Sequence, residues 1–146
     1  AFHHCHNQTN AMQSISNSLR DGGKLILCDV FAGSPHARHF DTVVSRYCDT
    51  GHEVKFLSDE FAETLCYLSG LQLVELVDLN QRWKFDSKQD LGKFVYHLHA
   101  LTKLPRSEQQ RLNTVIEGCE KILGIHDTEE GCVLYWSMKA LIAEKF

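Results

Sequence analysis

Between Asn10 and Leu19 the apolar positions Met12, Ile15 and Leu19 recur three and four residues apart, the period of a helix with one buried face. Thr9 or Asn10 supplies an N-cap oxygen, and Gly22-Gly23 stops the element. A near-continuous apolar run then opens at Lys24 and closes at Val30, which predicts a strand buried on both faces of a parallel sheet. Ser34-Pro35 places an N-cap ahead of a proline at the first helical position; Phe40, Val43, Val44 and Tyr47 form the stripe, and Gly51 is the stop. Ser58 caps another helix, with Asp59 and Glu60 at its positive end, Phe61, Leu65 and Leu68 facing inward, and Gly70 closing it. Residues 71–79 nearly alternate and predict a second strand.

Two capping-box spacings follow, Ser87 with Asp90 and Ser107 with Gln110. They lead into the stripes Leu91, Phe94, Val95, Leu98, Leu101 and Leu112, Val115, Ile116, Cys119, so helices are expected over 90–104 and 108–123, divided at Pro105. Residues 131–145, rich in β-branched and aromatic side chains, predict a long last strand. The chain therefore reads as a single domain over 1–146 carrying a helical insertion over 81–130.

Composition narrows the partners. Fifteen Lys and Arg against nineteen Asp and Glu leave a net charge of −4 with no basic block, which argues against nucleic acid. No apolar run approaches the roughly 20 residues a membrane span needs, so no membrane partner is expected. The first six residues lack the cationic and apolar regions of a secretory signal, and the six cysteines contain no CxxC. Both features predict a cytoplasmic protein with reduced thiols.

Histidine is the chemically conspicuous residue, with nine in the chain. His3, His4 and His6 invite a metal reading, and His36 and His39 are spaced to join one, but alternate and adjacent side chains of an extended segment diverge. No metal site is assigned. Asp29 ends the first strand, where open α/β sheets place ligands, and serves either a substrate or the next turn. Trp83, Phe85, Phe94, His97, Tyr135 and Trp136 suit a pocket wall or, with more weight, a core. Cys5 beside two histidines carries no signal of a nucleophile.

The element order, together with Ala1-Phe2-His3-His4-Cys5 and the segment Leu19-Arg-Asp-Gly-Gly-Lys-Leu-Ile-Leu-Cys-Asp29, resembles the carboxyl-terminal half of class I S-adenosylmethionine-dependent methyltransferases. The first segment looks like the end of that family's strand four, the second like its L-x-x-G-G-x-L-x-x-x-D turn into strand five. The resemblance implies an α/β fold: a partial Rossmann-like sheet of strands five, six and seven, the last antiparallel between the other two, with an added helical layer. It also implies methyl transfer from S-adenosylmethionine to a small-molecule acceptor.

The family's Gly-rich turn after strand one and the acidic residue ending strand two have no counterpart here. This chain is then expected to supply the acceptor side, the cofactor belonging only to the complete protein. By the same resemblance His4 and Asp29 are the catalytic candidates, Phe2 and His3 lie beside the cofactor, and His36, Trp83 and Trp136 contact the acceptor. The alternative is a catalytically silent protein–protein interaction module, or a truncated fragment. The strand edge from Lys24 to Val30 would lack its neighbour, so self-association as a dimer, or pairing with a chain carrying the amino-terminal half, is expected.

Overall fold

Four strands make one sheet in the order β1-β4-β2, with β3 also paired to β4, in a computed structural model that describes residues 2–146. The strands are β1 (Lys24–Asp29), β2 (Leu71–Phe85), β3 (Ile125–Thr128) and β4 (Gly131–Lys145). Both β1 and β3 run antiparallel to β4, so the last strand lies between the first two as expected. The chain divides into two compact units: Ala1–Gly33, Val54–Leu79 and Ser137–Phe146, and then Ser34–Glu53 with Asn80–Trp136.

In the first unit, α1 (Gln8–Ser18) begins ahead of the predicted caps, because the Asn7 side chain accepts from the Asn10 N–H at 2.9 Å. The buried Gln8 holds this first turn by donating to the Lys55 carbonyl at 2.6 Å. At the other end Lys145 Nζ donates to the carbonyls of Ser16 and Leu19, both at 2.9 Å, which satisfies two of the acceptors a helix leaves open. β1 is not buried on both faces. Leu25 and Leu27 face the core, whereas Ile26 is 65% exposed and Cys28 is also exposed, the alternation of a half-covered strand.

The covered face packs Leu27, Leu71, Leu141 and Ala143 against Phe2, Met12, Ala62, Leu65 and Cys66. α4 (Asp59–Leu68) starts at Ser58, whose hydroxyl accepts from the Phe61 N–H at 3.1 Å. Its inward residues are Ala62, Leu65 and Cys66; the predicted Phe61 and Leu68 are 42% and 60% exposed. Small side chains at 62 and 66 let α4 approach α1 closely, and the bulky residues are turned outward.

In the second unit, α2 (Pro35–His39) is capped by Ser34 as predicted, then widens into a π-helical turn at Phe40–Val44 before α3 (Ser45–Tyr47). β2 continues through Phe85, so Trp83 and Phe85 belong to a strand and the helical segment starts later than residue 81. α5 (Lys88–Leu98) has the expected reciprocal cap: Ser87 Oγ accepts from the Asp90 N–H at 3.1 Å and donates to its carboxylate at 2.6 Å. Ser107 makes no such bond at α6 (Glu108–Ile122). Gly92 lets the two helices touch, since a Cβ there would lie 3.1 Å from Ile116. α5 ends before the predicted residue 104, with Ala100 at φ 48° turning the chain. Its Phe94 and Leu98 are exposed.

β3 has no counterpart in the sequence reading, because Ile-His-Asp-Thr holds a single apolar residue and shows no strand period. Its turn into β4 needs Gly131: φ is 141°, and a Cβ there would sit 2.1 Å from the Phe85 carbonyl oxygen. Gly131→Ala is expected to cost about 2 kcal/mol of stability, read as a lowered midpoint of thermal unfolding. An unchanged midpoint would show that this backbone contact yields freely.

All six cysteines are free, with Cys66, Cys119 and Cys132 buried. Among the described residues no helix is long and apolar enough to cross a membrane.

Candidate functional site

β1 delivers Asp29 to its carboxyl end, where a 3-10 turn at Phe2–His4 lies against it. This turn stands where the end of a strand was expected; Ala1, also part of that expectation, lies outside the described residues. Three contacts engage the carboxylate. The His3 N–H donates at 3.0 Å, the Val30 N–H donates at 2.8 Å, and the His3 ring Nδ1 lies 2.5 Å from Oδ1.

Asp29 is 5% exposed, and that burial by itself would raise its pKa; the ring of His3 and the two amides outweigh it and hold the carboxyl below its ordinary value. An ionised Asp29 at Nδ1 selects the Nδ1–H tautomer of His3, so Nε2 becomes its acceptor end.

The exposed ring of His4 lies 4.3 Å from that of His3, tilted by 46°. Desolvation first, and then the neighbouring His3 imidazole, lower its pKa below 6.5, the direction that favours a neutral ring able to accept a proton. Phe56 contacts the other side of His3 at 5.2 Å between ring centroids. Beyond it opens a cleft of about 440 Å³ lined by residues that include His6, Gln8, Lys55, Phe56, Ser58 and Phe61.

His3, His4 and Asp29, predicted from the sequence, are thus brought together. Phe2 is adjacent in the chain, but its phenyl is 9% exposed within the core and its carbonyl accepts from the Cys5 N–H at 2.9 Å. Both oxygens of Asp29 are engaged, Oδ1 by the His3 ring and the Val30 N–H and Oδ2 by the His3 N–H.

The second unit brings together His36, Trp83 and Trp136. The two indoles stack at 4.8 Å and 8°, and His36 meets Trp136 edge-on at 4.7 Å while donating from Nε2 to the Tyr135 carbonyl at 3.0 Å. With His36 4% and Trp136 6% exposed, these rings form a core, and only Trp83 keeps partial access. His36 and Trp136, expected to contact an acceptor, are thus buried by neighbouring rings.

The sequence reading missed what else sits there. His39 is fully buried with neither ring nitrogen hydrogen-bonded, and His99 is 8% exposed with Nε2 unpaired. Their rings lie 5.5 Å apart, and both contact Phe40 and Trp136. Burial first, then the charges of His99 and His36, push His39 down to about 3; burial and His52 push His99 down to about 4. In the sequence each histidine merely adjoins an apolar stripe, His39 directly before Phe40 and His99 directly after Leu98.

No protein-family model matches the sequence, and no curated protein does. Solved structures share its fold, among them the following two. A candidate methyltransferase from Bacillus halodurans superposes with a TM-score of 0.62 at 18% identity, covering 99% of this chain and 61% of that one. The YcgJ protein of Bacillus subtilis gives 0.56 at 14% identity, covering 99% and 60%. The chain therefore has a methyltransferase-like fold and spans about three fifths of the length of these structures.

Proposed function

We propose that this chain forms the acceptor side of a methyltransferase that moves a methyl group from S-adenosylmethionine to a small molecule. The supporting observation is the Asp29–His3 couple at the carboxyl end of β1, with His4 beside it and a cleft opening next to Phe56. His4 is the residue that takes a proton from the acceptor; His3, oriented by Asp29, shapes and polarises the same corner.

The cofactor itself finds no fit among these residues. The one carboxylate at this corner, Asp29, is taken up by His3 and Val30, and no Gly-rich turn of the family's kind occurs in the sequence. Its anchors are then supplied by another segment or chain.

Calorimetry of this chain with S-adenosylmethionine is expected to show no binding in the low micromolar range. Pairing with a polypeptide that carries the Gly-rich turn and the strand-two carboxylate is expected to restore both binding and transfer of a labelled methyl group to small acceptors. Tight binding by this chain alone would sink the assignment of the acceptor side, and absence of transfer in every pairing would sink methyl transfer.

A second reading, a catalytically silent interaction module, draws on the edge of the sheet. β1 has no second strand neighbour among the described residues, and its Ile26 is 65% exposed opposite Ile142 of β4. Self-association through this edge is expected in sedimentation equilibrium at tens of micromolar, and Ile26→Lys should return the chain to monomer. A wild-type monomer would leave both the edge and this reading without support. The exposed apolar residues are Ile26 and Cys28, not Leu25 and Leu27, which the core covers.

A further inference from the structure

The cleft that Phe56 lines, on a ring that also contacts His3, has an unusual lining for a chain of net negative charge. None of its lining side chains is a carboxylate, and its one fixed cation is Lys55. The Lys55 backbone is clamped on both sides: its N–H donates to the His3 carbonyl at 3.1 Å, and its carbonyl accepts from the buried Gln8 at 2.6 Å. The side chain is exposed and has no carboxylate partner among the described residues. Asp59, on the adjoining helix, is neutralised by Lys139 at 2.6 Å. The cleft therefore presents an uncompensated ammonium whose main-chain position is set by two hydrogen bonds.

Its apolar walls are equally specific. Phe61 is 42% exposed on a helix whose inward face is filled by Ala62, Leu65 and Cys66, so its ring lines the cleft instead of the core. Phe56 lines it too, while its other contact is the ring of His3. Two phenyl rings accept a planar aromatic ring in edge or offset contact, and an ammonium accepts a carboxylate. A volume of about 440 Å³ lies within the range of small-molecule sites.

We propose that this cleft selects a planar aromatic acceptor bearing a carboxylate, with the carboxylate on Lys55, the ring between Phe56 and Phe61, and a hydroxyl directed toward the histidine pair. The proposal rests on the methyltransferase reading for the fate of that hydroxyl. The binding preference is a separate matter, decided by charge and ring alone.

The probes are 4-hydroxybenzoate and its uncharged amide, 4-hydroxybenzamide, titrated into the whole chain and followed by amide NMR shifts. The expected result is binding of the benzoate about tenfold tighter than the amide, with the largest shifts at Lys55, Phe56 and Ser58 and a preference that narrows as salt is raised. Lys55→Met should erase the preference while leaving amide binding unchanged, and Phe61→Ala should weaken both probes. Both side chains are exposed, so both variants are expected to fold, and unchanged thermal midpoints check this. Equal affinity for the two probes, shifts centred elsewhere, or no binding of either at millimolar concentration would each overturn the proposal. Preferential binding without methyl transfer in any pairing overturns only the methyltransferase reading; methyl transfer without the preference overturns only this one.

Discussion

Acidification to about pH 5 is expected to destabilise the second unit by about 4 kcal/mol, a loss set by two buried imidazoles. His39 and His99 have pKa values near 3 and 4 when folded, against 6.5 when exposed. Above about pH 6.5 both are neutral in the folded and unfolded chain, and their titration changes nothing. As the pH falls below that value the unfolded chain binds two protons that the folded chain refuses, so stability drops by about 1.4 kcal/mol per pH unit for each ring. The loss ends only near the folded values.

The groups that couple to them are other imidazoles, His36 and His99 at His39, and His52 at His99, so protonating one raises the cost of the next. His36 is itself shifted down, by burial, and adds in the same direction. Asp29, in the first unit, is held below 3.8, so its own contribution is lost at lower pH and the two effects separate. Against a total stability of about 5–15 kcal/mol the histidine effect is large. Trp83 and Trp136 are the only tryptophans and both lie in the ring cluster, so intrinsic fluorescence reads it directly. His39→Leu should shift the acid transition to lower pH; a transition below about pH 4 in the wild type, or one unmoved by this substitution, would show that the imidazoles are not its cause.

Local rules carried the reading where a side chain acts on its own backbone. The hydroxyls of Ser34, Ser58 and Ser87 cap the helices they were expected to cap, and the strand over 131–145 has the bounds its composition implied. Where the outcome depended on a distant partner, periodicity misled. The stripe in α4 named Phe61 because it is large, but Ala62 and Cys66 are the buried residues of a helix that packs against α1, and proximity between helices rewards small residues. The run from 24 to 30 looked doubly buried because Ile26 and Cys28 are apolar, yet only the Leu25 and Leu27 face is covered by this chain.

The same limit applied to the site. That His3 and Asp29 lie at the same carboxyl edge of the sheet followed from the resemblance, but their hydrogen bond spans 26 residues of sequence and needed coordinates. His39 and His99, sixty residues apart, carried no mutual signal at all. Of the aromatic residues named for an acceptor, Trp136 contacts both imidazoles, and the cleft side chains with real access, Lys55, Phe56 and Phe61, read in sequence as an ordinary turn into a helix.

Replacing Asp29 separates its structural from its positioning part. Asp29→Ala leaves the His3 N–H, the His3 ring and the Val30 N–H without their acceptor in a buried place, and is expected to cost the first unit about 3 kcal/mol, since each unsatisfied donor costs about 1–3 kcal/mol and some recover water. Asp29→Asn keeps the shape and one acceptor oxygen, so its cost should be nearer 1 kcal/mol. What it removes is the negative charge that fixes the proton on Nδ1 of His3. Nitrogen NMR of the His3 ring should then move toward the Nε2–H tautomer while the fold persists. If the proposed methyl transfer holds, kcat of the paired protein should fall more than tenfold with little change in KM, because the corner occupied by His3 and His4 is polarised differently while the cleft beside Phe56 is untouched. A purely structural Asp29 predicts the opposite pattern: Asn and Ala ranked by stability alone, the tautomer unchanged, and kcat restored wherever the fold is.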